Sequence, residues 1–315
     1  MTASLSRMFD TATLNAIHKE IAPHTDAPPA ASWTLAGEGL WGCVFDLGDG
    51  TMLKVVRRHG GLGSGEALHH RESETLGFLG GFATGYVRVP ALAAGGIFTN
   101  SYIGSAPPLA GWLRLAALEG KRLTTDKVLT MSASERDLLG ERIGAAIVDF
   151  NAEASTRAAA AGTRLADTIT RSLTLARAQL ATAELHRAAD AIAQAWETLR
   201  AAGPLVFVHG DLNPGNLIDA GPRAPLGFVD FAESGWSLAE AEFRHLEPLG
   251  PFRDSIFRGV TARRGQAPNM RAYYLAAAAD ALMTVAIQGN AGHPRDAMRR
   301  TGLLRHCLAG AEIGY

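Results

Sequence analysis

Disulfide chemistry has almost nothing to work with in this chain. Cys43 and Cys307 are the only cysteines in 315 residues, too few for a disulfide framework and without the spacing of a metal cluster. That fits a reducing compartment. An excess of one charge is missing too: 30 Lys and Arg stand against 31 Asp and Glu, a formal net charge of −1. No basic field therefore points to nucleic acid. No apolar run approaches the roughly 18 residues of a membrane span, and the most apolar stretch, Tyr273 to Ile287, carries Asp280. Met1 to Ile21 lacks a signal-peptide core and includes Asp10 and Glu20. The expected location is the cytoplasm, with neither membrane nor nucleic acid as partner; oligomeric state is left open. Two reaction classes lack their signatures. Ser64 and Ser234 have no flanking glycine pair of the Gly-x-Ser-x-Gly kind, and His69-His70 beside Glu72 has no second histidine at zinc-helix spacing.

What is present is the balance of a folded protein, 47% hydrophobic and 19% charged. At this length about 75% of the unfolded surface can be buried, in one large domain or two lobes. Leu14, Ile17 and Ile21 recur at helical spacing. Ser32 to Ile103 reads as mostly extended: Trp33 to Leu35, a glycine run, Cys43 to Leu47, an Asp49-Gly50 hairpin turn, and Thr51 to Val56. A glycine-rich linker (Gly60, Gly61, Gly63, Gly65) precedes a helix over Ala67 to Leu79. Val87 to Leu92 and Gly96 to Ile103 are expected as two more strands. After Gly104 the pattern turns helical, with a Ser132-Ala133-Ser134-Glu135 capping box and one apolar face through Leu139, Ile143, Ala146, Ile147 and Phe150. Helical faces recur up to Gly203-Pro204 and again over Pro251 to Tyr315, interrupted near Gly289 to Pro294. The expectation is α+β: a small β-rich lobe over residues 1–103 and a larger, mainly helical lobe over residues 104–315, with a cleft between them.

Chemistry concentrates in two places. Val208-His209-Gly210-Asp211-Leu212-Asn213-Pro214-Gly215-Asn216 is followed by Val229-Asp230-Phe231. Pro214 and Gly215 fix a turn that lets Asp211 and Asn216 face one point, and Asp230 ends a second short strand. Asp211 can take a proton from a hydroxyl, while Asn216 and Asp230 can hold the magnesium that neutralises nucleotide phosphates. His209 is expected to be structural. Upstream, Gly37-x-Gly39-x-x-Gly42-x-Val44 has the glycine spacing of a dinucleotide site. Such a site needs a helix after the last glycine, whereas a strand and a turn follow here, so a hairpin folded over phosphates is the better reading. Lys54, the lone cation of the returning strand, suits a phosphate ligand. Glu72 would orient it, because Leu76 and Leu79 share its helix face, with Glu74 the alternative.

With these residues together, the chain resembles the aminoglycoside phosphotransferase and choline kinase branch of the protein-kinase-like fold, from about Trp33 to Leu246. The resemblance implies a bilobal enzyme that moves the γ-phosphoryl group of ATP, or GTP, to a small-molecule hydroxyl. Asp211 would be the base, Asn216 and Asp230 the magnesium ligands, and Gly37, Gly39, Gly42, Lys54 and Glu72 the nucleotide site. Thr99 to Ile103, with Tyr102 and Ile103, falls where relatives contact adenine through backbone groups. Glu242 stands where relatives often have an aspartate, so an extra methylene must be accommodated. His-Gly-Asp in place of His-Arg-Asp, and no Ala-Pro-Glu after Asp230, argue against a protein kinase. Asp149, Glu153 and Glu233 are candidates to attract an amine, and Trp236 or Tyr273 to stack on a cation or sugar. Aminoglycoside, amine and sugar acceptors all stay open. The rival reading is a nucleotide-binding regulator that has kept the fold without catalysis.

Overall fold

The computed structural model describes residues 9–59, 63–290 and 294–314; Gly60 and Gly61 of the expected linker, and part of the expected break before Pro294, lie outside them. The chain divides into two compact units, Met1–Gly81 with Pro90–Leu118, and Phe82–Val89 with Glu119–Tyr315.

In the first unit Asp10 caps α1 (Thr11–Ile21) by accepting the Thr13 N–H at 2.7 Å. β1 (Thr34–Glu38) and β2 (Gly42–Asp46) form the glycine hairpin, and the Asp49-Gly50 turn returns the chain as β3 (Thr51–Arg57). Ser64 caps α2 (Gly65–Leu79), which buries Leu68, Glu72, Leu76 and Leu79. The chain then passes through β4 (Val87–Arg88), which belongs to the second unit, to β5 (Leu92–Ile97) and β6 (Leu109–Ala116). The sheet order is β1-β2-β3-β6-β5, antiparallel throughout. Strand limits differ from expectation here. Neither Val87–Leu92 nor Gly96–Ile103 is one strand, and β6, in the segment expected to be helical, sits between β3 and β5. Leu109 to Leu113 is buried without a break, which removes the alternation that marks a strand in sequence.

The second unit opens with β7 (Lys121–Arg122) and a short α3 (Thr125–Thr130). α4 (Ala133–Ala161) carries the capping box, with Ser132 and Glu135 each satisfying the other's backbone N–H. Its apolar face, Leu139, Ile143, Ala146, Ile147 and Phe150, is buried, a burial worth about 1.5–3 kcal/mol for each large side chain. α5 (Thr168–Arg177) and α6 (Ala183–Ala202) follow, then four short strands: β8 (Val206–Val208), β9 (Leu217–Asp219), β10 (Leu226–Phe228) and β11 (Gly235–Ser237). α7 (Pro251–Arg264), α8 (Met270–Asn290) and α9 (Pro294–Gly310) complete it. β8 pairs with β11, and β9 lies between β10 and β7. The β8–β9 and β10–β11 connections carry the motif residues. Among the described residues no helix is long and apolar enough to cross a membrane.

Candidate active site

The chain leaves β8 through His209 and Gly210. Gly210 has φ 81°, and a Cβ there would lie 2.4 Å from the Glu233 carbonyl oxygen, so a side chain is excluded on both counts. Glu242, buried in the helical turn Ala239–Phe243 that follows β11, accepts the His209 N–H at 2.6 Å, the Gly210 N–H at 3.1 Å and an Asn151 Nδ2 proton at 3.0 Å. The extra methylene of Glu242 is thus taken up in reaching the loop backbone. Burial raises its pKa in spite of these donors. His209 is structural: its Nε2 donates to the Val229 carbonyl at 3.0 Å while Nδ1 accepts the Asp211 N–H at 3.3 Å. Its ring lies 4.6 Å from that of Phe231, beside Phe150 and Phe228.

Two amides hold Asp211. Asn213 accepts the Gly215 N–H at 2.9 Å, which caps the Pro214–Asn216 turn, and its Nδ2 donates to Asp211 Oδ1 at 3.2 Å. Asn216 Nδ2 donates to the Asp211 carbonyl at 2.8 Å and to Oδ2 at 3.0 Å. The β9–β10 pairing, continued by the Val229 N–H to the Asn216 carbonyl at 3.1 Å, leads directly into Asp230. Asp230 has φ 70°, a conformation costly for a residue with a Cβ and concentrated at functional sites. No group of three His, Cys, Asp or Glu suited to a metal occurs among the described residues. An amide and a carboxylate alone fit a hard cation whose shell water and phosphate complete.

Sequence reasoning missed the partner of Asp211. His245 Nε2 lies 2.8 Å from Asp211 Oδ1, and His245 Nδ1 lies 3.2 Å from Oδ1 of Asp280, a buried acid of α8. Burial opposes charge on the ring, but the Asp280 carboxylate and hydrogen bonds to both acids outweigh it, raising the His245 pKa to about 9. Asp211 is likewise held well below the usual carboxylate range, its hydrogen bond and charge contact with His245 overcoming burial. The neighbouring Arg244, almost fully buried, donates to Ser172 at 3.0 Å and Thr168 at 3.3 Å and lies 3.6 Å from Glu233. One signal was available: Asp280 is the lone acid of the most apolar segment, and an acid placed there needs a partner.

In the first unit, Lys54 Nζ lies 2.6 Å from Glu72 Oε2, with side-chain exposures of 11% and 1%, so the pair is largely desolvated. Glu74 is instead 3.7 Å from the exposed His70. Gly37 of β1 pairs with Val44 of β2, and Gly42 of β2 pairs with Val56 of β3, while the Gly39 N–H donates to the Gly42 carbonyl at 2.9 Å. A Cβ on Gly42 would strike the Val55 carbonyl at 2.1 Å. Tyr102 is exposed and the Ile103 side chain is buried in the core cluster with Ile17 and Trp112. Both lie in the connection between β5 and β6 inside the first unit, which ends at Leu118, so the segment expected to be the hinge does not link the units.

The candidates for an amine or sugar are already engaged. Asp149 pairs with Arg263 at 2.7 Å, Glu153 with Arg157 at 2.7 Å, and Glu233 with Arg171 and Arg244. Trp236 Nε1 donates to the Thr163 carbonyl at 3.0 Å, and Tyr273 is buried with its hydroxyl on Glu247.

Residues 46–282 match the model of a family described as the phosphotransferase enzyme family. No curated protein matches the sequence. Among solved structures, a GDP complex of wild-type aminoglycoside 2'-phosphotransferase-IIIa is similar at 18% identity and TM-score 0.65, covering 94% of this chain and 99% of that one. A ternary complex of a thermostable mutant of aminoglycoside phosphotransferase APH(4)-Ia with AMP-PNP and hygromycin B is similar at 14% identity and TM-score 0.59, covering 96% and 99%. A choline/ethanolamine kinase family protein from Mesorhizobium loti is similar at 16% identity and TM-score 0.54, covering 90% and 92%. At such identities the likeness is one of fold, the α+β kinase-like arrangement of a small antiparallel sheet and a helical unit.

Proposed function

The chain belongs to the phosphotransferase enzyme family, and on that premise we propose that it moves the γ-phosphoryl group of ATP, or of GTP, to a hydroxyl of a small molecule. Asp211 receives the hydroxyl proton. Asn216 and Asp230 are the residues that would hold magnesium, which supplies charge neutralisation at the phosphates. Lys54, oriented by Glu72, binds the phosphates beneath the hairpin of Gly37, Gly39 and Gly42. The observation that carries this reading is the Asp211–Asn216 hydrogen bond at 3.0 Å, in a loop whose paired strand leads into Asp230. No covalent intermediate is needed; the protein orients the hydroxyl and offers it a carboxylate.

Similar structures hold GDP or AMP-PNP, and kanamycin or hygromycin B, which supports a nucleotide donor and an aminoglycoside-, amine- or sugar-like acceptor. The test is ADP or GDP release from the magnesium nucleotide with a pool of kanamycin, choline, ethanolamine, glucose and glycerol, then with each alone. Transfer that requires magnesium and one of these compounds supports the reading. Nucleotide binding without transfer to any hydroxyl compound would instead support the regulatory rival.

A further inference from the structure

The Asp211 carboxylate is unevenly engaged. Oδ1 accepts from Asn213 Nδ2 at 3.2 Å and faces His245 Nε2 at 2.8 Å, while Oδ2 has a single donor among the described residues, Asn216 Nδ2 at 3.0 Å. A carboxylate oxygen offers about two acceptor sites. Oδ1 is therefore filled, and Oδ2 keeps one site open.

His245 can hold Oδ1 only if Nε2 carries a proton. Arg244 Nε also lies 3.0 Å from that nitrogen, and one ring nitrogen cannot accept from Arg244 while donating to Asp211. A carboxylate oxygen faces each ring nitrogen, Asp211 on one side and Asp280 on the other, and this decides for the doubly protonated ring. The charged groups around it are Asp211 from the loop, Asp280 from α8, Arg244 beside it, and Arg300 of α9 acting through Asp280.

We propose that His245, held at Nδ1 by Asp280, is a positioning residue that fixes Asp211 so that Oδ2 alone takes the proton of the acceptor hydroxyl. This rests on the phosphotransfer reading above. The hydroxyl O–H bond breaks with its proton passing to Oδ2, the acceptor oxygen bonds to the γ-phosphorus, and the bond to the β-phosphate oxygen breaks with its electrons leaving on the nucleoside diphosphate. Asp211 then releases the proton to solvent. Asp280 never meets the substrate in this scheme; it acts only through the ring.

Two measurements test it. The first is 15N NMR of the histidine rings in the ligand-free protein, where His245 is expected to carry both ring protons at neutral pH and to lose one near pH 9. Asp280→Asn should lower that midpoint by a unit or more, a tenfold change in proton affinity. The second is turnover of magnesium ATP with the acceptor pool used above. His245→Gln, which can still donate one hydrogen bond to Asp211, should lower kcat about tenfold while the KM for ATP stays within twofold. Wild-type kcat is expected to decline as the pH rises through 9, and that decline should vanish in His245→Gln, a result that loss of fold alone would not give. A singly protonated wild-type ring at neutral pH overturns the proposal, as does His245→Gln with unchanged kcat or an intact alkaline decline. If wild-type protein turns over no acceptor while its ring is doubly protonated, the phosphotransfer reading fails, and the positioning role with it, but the clamp stands.

Discussion

The buried Glu242 carboxylate accepts the backbone N–H of His209 at 2.6 Å, so an acid 33 residues downstream sets the path of the loop that presents Asp211. Its other oxygen takes the Gly210 N–H, and Asn151 adds a third donor. Glu242→Ala strands these buried donors and should destabilise the protein by about 3 kcal/mol. Glu242→Gln keeps one acceptor oxygen but turns an amide toward a donor, so it should fall between alanine and wild type. Urea denaturation of the three proteins gives the order.

Gly210 allows the sharpest local test. Any side chain there meets both the positive φ and the Glu233 carbonyl. Gly210→Ala should cost about 2 kcal/mol or more and abolish transfer by displacing Asp211. Thermal unfolding, together with ADP release from magnesium ATP, reads both effects.

Lys54 and Glu72 form a pair in which the glutamate is 1% exposed. Removing one partner of a desolvated pair leaves a buried charge, so Glu72→Ala should destabilise by about 3 kcal/mol. Lys54→Ala should in addition raise the KM for ATP at least tenfold. Calorimetric titration with ATP separates that binding loss from the loss of stability.

Stability should depend on pH through His245. Its folded pKa lies near 9, above the ordinary 6.5, so the folded state holds the proton more tightly than the unfolded chain. The stabilisation is fully present below about pH 6.5 and is lost as the pH rises through 9. At the acid end, Asp211 and Asp280 have folded pKa values below 3.8, and their contribution, present above 3.8, is lost as the pH falls through those lowered values. The urea midpoint of the wild type should therefore be lower at pH 10 than at pH 6.5, and the difference should be smaller in His245→Gln.

The features legible in the sequence were those set by local chemistry. Pro214 and Gly215 force a turn, so the approach of Asn216 to Asp211 follows from five residues of chain. Glu72 was separable from Glu74 because it shares a helix face with Leu76 and Leu79, and that face is buried. β6 was missed because burial on both faces leaves no alternation to read. The Asp211–His245–Asp280 contact was missed for another reason: its third member lies 35 residues beyond its second, and only the packing of α8 brings them together. The standing of Asp280 as a lone acid among apolar neighbours pointed to a buried partner without saying which.

The proposed chemistry turns on Asp211, which accepts the hydroxyl proton in a magnesium-dependent phosphoryl transfer. The most direct measurement compares wild type with Asp211→Asn, reading nucleotide affinity by calorimetry and diphosphate release in the presence of the acceptor that wild type uses. Turnover should fall at least about a hundredfold with nucleotide affinity unchanged. Turnover near the wild-type rate in Asp211→Asn would contradict that role.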